Sequence, residues 1–112
     1  MHADFASQIE QGHVHVAFRG SLFAGYVVFY QERDHIHLEN VAVLPELSGQ
    51  GIGRTLIKYA EDAARQAGLR AIELYTNEAM TESLAMYPKL GYVETERKQQ
   101  AGFNRVFFRK SL

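Results

Sequence analysis

Three glycines stand at alternate positions, Gly49, Gly51 and Gly53, in the stretch PELSGQGIGRTLIKYAEDAARQAG, and a helical pattern begins directly after them. The first turn of a helix leaves backbone N–H groups unpaired and carries partial positive charge. An anion satisfies both, provided that no side chain blocks its approach, and glycine removes that block. A strand, a GxGxG loop and a helix start therefore predict a phosphate cradle built from main chain. The competing reading is a loop that needs only positive φ angles, and three alternating glycines at such a junction favour the cradle. Just ahead of it, His35, His37 and Glu39 alternate. A regular strand would point all three ionisable side chains to one face.

The spacing narrows the phosphate ligand. A Walker A loop would need GxxxxGK[ST], and the matching frame SGQGIGRT has Ser48 for the first glycine and Arg54 for the lysine. A dinucleotide fingerprint would need GxGxxG with an acidic residue about twenty positions on. Glu73 is suitably placed, but the third glycine comes one residue early. An antiparallel meander before the loop also argues against a dinucleotide fold.

The elements that must hold these residues can be read from periodicity. HVHVAFRG (13–20), LFAGYVVFYQ (22–31) and HIHLENVAVL (35–44) read as three antiparallel strands joined by turns at 19–21 and 32–34. Residues 52–67 read as a helix with Ile52, Leu56, Ala60, Ala63 and Ala67 on its packed face. Arg54, Lys58, Glu61, Asp62 and Arg65 fill the other face, and Gly68 stops the helix. RAIELYT (70–76) follows as a parallel strand, completing a βαβ unit. A second helix over 80–88 meets Pro88, which predicts a kink or an early end. YVETERK and FNRVFFRK close the chain as a hairpin through QQAG, with Phe103, Phe107 and Phe108 packing in the core and sheet. Arg105 with Arg109, and Lys98 with Lys110, read as solvated faces. Residues 5–11 suggest the tail of a short helix. The order βββαβαββ is an α/β, mixed α+β architecture in a single domain over 1–112.

Composition excludes several classes. The formal net charge is −1, without a basic run, which argues against nucleic acid and anionic membranes as partners. The chain has no cysteine, so thiolate zinc sites, disulfides and a cysteine nucleophile are excluded. The first twelve residues lack the apolar stretch of a signal peptide, and YVVFY is too short to cross a bilayer. The expectation is a soluble cytoplasmic protein. The pairs His13/His15 and His35/His37 could share a strand face as metal ligands, but strand 22–31 should lie between them, and no metal is expected.

VAVLPELSGQGIGRTLI resembles the acyl-coenzyme A motif of the GNAT family of N-acetyltransferases, [RQ]-x-x-G-x-[GA], and SLAMYPKLGY resembles its following motif, A-x-x-x-Y-x-x-x-G-[FY]. The two come in the family's order with a strand between them. Ser48 replaces the family's usual Arg or Gln, Met80 stands where many relatives carry Asn, and Ser83 replaces the usual Ala. The N-terminus is expected to be short against that family.

The resemblance implies a GNAT-like fold and transfer of an acetyl group from acetyl-coenzyme A to a primary amine by direct attack. It implies a cofactor site at Ser48, Gly49, Gln50, Gly51, Ile52, Gly53 and Arg54, with backbone N–H groups of Gln50, Gly51, Gly53 and Arg54 on the pyrophosphate. The pantetheine arm would lie along Val41, Ala42 and Val43, between strands that splay apart, with an N–H near Val41 facing the thioester oxygen. Tyr87 would protonate the leaving thiolate and contact the cofactor, Glu39 is the first choice of general base, and His37 is the second. A buried aromatic role for Tyr87 is the competing reading. The acceptor is left open, although Glu32, Asp34 and Glu78 would suit a cationic one. Two other readings stand beside the enzyme. One is a non-catalytic acyl-coenzyme A-binding module. The other is a subunit completed by a partner, such as a homodimer, because strand 13–20 has a free outer edge.

Overall fold

The computed structural model describes residues 12–112. The expected helix tail at 5–11 lies outside them. Six strands form one mixed sheet: β1 (Val14–Arg19), β2 (Leu22–Glu32), β3 (His35–Val43), β4 (Ala71–Asn77), β5 (Val93–Gln100) and β6 (Phe103–Ser111). Among the described residues, two α-helices, α1 (Ile52–Gln66) and α2 (Thr81–Lys89), and a short 3₁₀ turn at Pro45–Leu47 complete the order. The expected succession of elements is therefore the observed one. In space the strands run β1-β2-β3-β4-β6-β5, and β1 is an edge strand, as its sequence suggested. Among the described strands only β3 and β4 pair in parallel, around the α1 crossover.

The core lies between the sheet and the helices. Val27, Phe29, Ile36, Leu38, Ile72, Leu74, Val106 and Phe108 come from alternate strand positions, and Leu56, Ile57, Ala60 and Ala64 from α1. The buried stripe of α1 is therefore rotated from the expected one: Ala64 and Ile57 are inside, whereas Ala67 ends the helix in solvent. Glu61, assigned to the polar face, is also buried. Its carboxylate accepts from Tyr92 Oη at 2.9 Å and from Lys110 Nζ at 3.2 Å, so Lys110 is an anchor of α1 rather than a solvated residue. Burial and the neighbouring Glu61 charge push the Tyr92 hydroxyl far above its usual range, keeping it a donor. Gly68 at φ +74 closes α1, and Leu69 N–H reaches back to the Ala64 carbonyl.

Pro88 lies in the last turn of α2, which ends one residue later. Leu90 and Gly91 N–H groups return to the Tyr87 and Pro88 carbonyls, the tighter bonding of a helix terminus. The closing hairpin turns through Ala101 and Gly102, both at positive φ. Phe108 is buried as expected, but Phe103 at the hairpin tip is exposed.

Strand β3 carries an irregularity that shapes everything near the loop. Val28 pairs with Asn40 and Phe29 with Leu38, so Glu39 is an extra residue without a partner on β2. The alternation resets there, and Val41 and Val43 pack on the helix side. Gly25 lets β2 and β3 approach closely beyond the bulge: a Cβ there would overlap the Ala42 carbonyl oxygen and stand 3.1 Å from Val43 Cα. Substitution Gly25→Ala is expected to destabilise the fold by about 3 kcal/mol. At roughly 4 °C per kcal/mol for a chain of this size, a calorimetric melt resolves that shift.

Candidate active site

The glycine loop forms as its sequence demands. Gly49 and Gly51 adopt φ of +80° and +83°, and Gly51 is the N-cap of α1. No side chain caps this end. The first-turn N–H groups of Ile52, Gly53 and Arg54 are thus available to an anion. A Cβ at Gly49 or Gly51 would meet open space, and one at Gly53 would only touch Val43 Cγ2 at 3.6 Å. The glycines leave the approach bare rather than fitting a crowded neighbour. Ser48 Oγ donates to the Pro45 carbonyl at 3.0 Å, so this side chain serves the preceding turn.

A cavity of about 570 Å³ opens at the loop between the start of α1 and the first turn of α2. Val41, Val43, Ser48, Gly49, Gly51, Ile52, Gly53 and Arg54 line it on one side, and Glu82, Ser83 and Met86 on the other. With one cation and one carboxylate in the lining, attraction for an anion rests on main chain and helix dipole. Ala42 and Gln50 do not line this cavity: Ala42 alternates to the other face of β3, and Gln50 borders a neighbouring depression beside Phe18.

A second cavity adjoins it in the sheet, sharing Val41 and Ser83. β3 and β4 pair through His35–Ala71, Ile36–Ile72, His37–Glu73 and Leu38–Leu74, and there the ladder stops. Beyond it the strands part around a cleft of about 80 Å³ lined by Glu39, Asn40, Val41, Tyr75, Thr76, Ser83 and Tyr87, among others. Tyr87 comes from α2 and is 5% exposed, its ring edge-on to Tyr92 at 5.5 Å and tilted against Phe108 at 5.7 Å. It is both a core aromatic and a cleft residue. Burial pushes its hydroxyl up to about 12, so it carries its proton at neutral pH.

Glu39 enters the cleft from the bulge, and His37 Nε2 lies 2.9 Å from its Oε2. The structure thus brings Tyr87 and Glu39 to one cleft and sets His37 behind Glu39. His37 lines a trough of about 340 Å³ with Glu32, Glu73, Tyr75, Phe107 and Arg109. His35 instead contacts Asp34 at 3.3 Å and Glu73 at 3.5 Å, away from the cleft. Arg109 is held by Glu73, Arg105 covers Tyr75 at 4.4 Å and Lys98 covers Phe107 at 5.0 Å, so these three cations are engaged.

β2 does separate the two histidine pairs. His13 stacks on Tyr30 at 5.2 Å and His15 on Phe29 at 4.7 Å, so both rings are used in packing. Sequence reasoning missed Tyr75, Thr76, Ser83 and Met86. The first two follow the end of the parallel ladder, a position visible only once its length is known. Among the described residues, no helix is long and apolar enough to cross a membrane.

Residues 2–92 match the acetyltransferase (GNAT) family. The aminoalkylphosphonate N-acetyltransferase of Salmonella typhimurium is 31% identical over 100 residues, covering 81% of this chain and 64% of that protein. The chain therefore spans less than two thirds of that relative's length. The IAA acetyltransferase from Bacillus cereus shares the fold at a TM-score of 0.82 and 24% identity, over 96% of this chain and 83% of that one. A GNAT family acetyltransferase from Elizabethkingia anophelis with acetyl-CoA bound gives 0.79 at 20% identity, over 98% and 86%. With a family match over most of its length and the loop, cleft and tyrosine in place, the chain belongs to the GNAT acetyltransferase family.

Proposed function

We propose that the chain transfers an acetyl group from acetyl-coenzyme A to a primary amine by direct attack within a ternary complex. The observation that carries this reading is a pair of adjoining cavities: one at an uncapped, glycine-lined helix start and one between parted strands at Tyr87 and Glu39, sharing Val41 and Ser83 in their walls. Family membership and the N-acetyltransferase activity named for a relative support it.

In this reading the diphosphate sits on the N–H groups at 51–54, and the pantetheine arm follows the free edge of β3 along Val41 and Val43. An N–H near Val41 meets the thioester oxygen as charge develops on it. An alkylammonium with a pKa of about 10 must lose a proton before attack, which costs roughly 4 kcal/mol at neutral pH. Glu39 accepts that proton in the cleft. The amine lone pair adds to the thioester carbon, the now cationic nitrogen gives up its second proton to water, the C–S bond breaks as the tetrahedral adduct collapses to the amide, and the sulfur leaves as thiolate toward Tyr87. A thiol near 8.5 is a weaker base than a phenolate near 12, so complete transfer from Tyr87 is uphill by about 5 kcal/mol. Tyr87 therefore acts as a hydrogen-bond donor to the departing sulfur, with net proton transfer following from solvent.

Two outcomes are expected. Gly53→Val places a branched side chain beside the cradle at a helix position that tolerates it. Coenzyme A affinity, measured by calorimetry, should fall at least roughly tenfold while melting changes little; unchanged affinity would remove the loop from the cofactor site. Tyr87→Phe should lower the rate of thiol release by roughly 10²-fold with coenzyme A affinity nearly unchanged. Equal turnover in that variant would leave Tyr87 with packing alone.

A further inference from the structure

We infer that His37 is a positioning residue for Glu39 and not an alternative base: its ring carries a proton on Nε2 and donates it to Glu39 Oε2, leaving Oε1 for the acceptor amine. The inference rests on the reading of Glu39 as proton acceptor in acyl transfer.

The geometry points this way from three sides. First, the contact between His37 Nε2 and Glu39 Oε2 is 2.9 Å, and a proton must lie between a carboxylate oxygen and a ring nitrogen at that distance. Second, the ring has little freedom to turn. It is tilted against Tyr30 at 5.4 Å on one side and Tyr75 at 5.7 Å on the other, and its side chain is 15% exposed. Third, the two residues open to different spaces. Glu39, 9% exposed, lines the cleft with Tyr87, whereas His37 lines the trough on the opposite side. An amine seated against Tyr87 and the thioester meets Glu39 before it can meet His37.

The bulge explains why such a support is needed. Glu39 has no cross-strand partner on β2, and the parallel ladder to β4 has ended one residue earlier. With neither ladder fixing the backbone at this position, the carboxylate's place depends on what its own side chain contacts. One donated hydrogen bond from a pinned ring sets that place, the role that outer partners play for other catalytic ligands.

Among the described residues, the other titratable groups facing the pair are Tyr30 and Glu32 from β2, Glu73 and Tyr75 from β4, Glu96 from β5, Arg109 from β6, and Tyr87 across the cleft. Arg109 is taken by Glu73. Tyr30 is pushed up to about 12, chiefly by burial and then by Glu39 and Glu32, so it stays protonated.

The test combines two readouts on the full chain. Nitrogen-15 NMR of the histidine rings at alkaline pH should show His37 as the Nε2–H tautomer. A resting Nδ1–H tautomer overturns the inference whether or not the protein turns over. In kinetics, His37→Gln keeps a donor at nearly the same place and should retain most of kcat with an unchanged pH profile. His37→Leu should lose kcat by roughly 10–100-fold with KM for the amine and coenzyme A affinity preserved. The double variant His37→Leu/Glu39→Gln should be no slower than Glu39→Gln alone. A Gln variant as slow as the Leu variant would make His37 the acceptor itself. Wild-type kcat with a lower melting temperature in His37→Leu would reduce the ring to packing. Either result ends the inference. A wild-type chain that binds no coenzyme A rejects the acyl-transfer reading, and the positioning role with it, and calorimetry detects this separately from the tautomer.

Discussion

Two parallel strands that pair over four residues and then part are the constraint on which the rest of this structure depends. A parallel ladder normally continues, because each unpaired backbone group loses a hydrogen bond that water must replace. Ending it at Leu38 and Leu74 exposes main chain of both strands to a cleft in the middle of a sheet. The opening lasts only if each strand is held from its other side. β2 holds β3 through Val43, and β6 holds β4 through Asn77, so both flanking ladders run past the point of separation.

The helices are fixed by the same arrangement. α1 crosses from the end of β3 to the start of β4, which places its N-terminus at the open end of the cleft. Its small residues Ala60 and Ala64, both fully buried, let it lie close on the sheet, and Glu61 ties it to β6 through Lys110 and to the start of β5 through Tyr92. A buried carboxylate with two partners is weak evidence of net stability, because desolvation offsets much of the attraction. It is better understood as fixing which turn of α1 faces β6, and hence where the glycine loop ends up. α2 closes the other side and carries Tyr87 on its inner face, against Tyr92 and Phe108.

Much of this was legible in the sequence. Alternation gave the meander, the 3.6 period gave α1, and the glycine spacing gave the uncapped helix start; all three are local patterns. What local patterns missed depended on partners distant in sequence. Glu61 reads as polar-face by period, and only Tyr92 and Lys110, 31 and 49 residues away, make its burial tolerable. The bulge at Glu39 leaves no signature in HIHLENVAVL, because the extra residue exists only relative to β2. For the same reason a simple alternation from His35 to Val43 would have put Glu39 and Val43 on one face, whereas the structure divides them. His15, His35 and His37 were legible as strand residues, but the ring contacts of His13 with Tyr30, His15 with Phe29 and His37 with Tyr75 needed the register.

The division at Glu39 has a chemical consequence. His37, before the bulge, lines the trough, and Val41 and Val43, after it, line the loop cavity. One strand thereby serves two compartments, with Glu39 at their junction in the cleft. On the proposed reading, cofactor and acceptor meet where the ladder has ended, beside Glu39 and Tyr87. Direct attack suits that geometry, since the amine reaches the thioester without displacing the carrier. A thiol-based acyl-enzyme is excluded by composition, as the chain has no cysteine. On the same reading, the hydrogen-bond donor to the departing sulfur and the acceptor of the amine proton line one cleft, Tyr87 from α2 and Glu39 from β3.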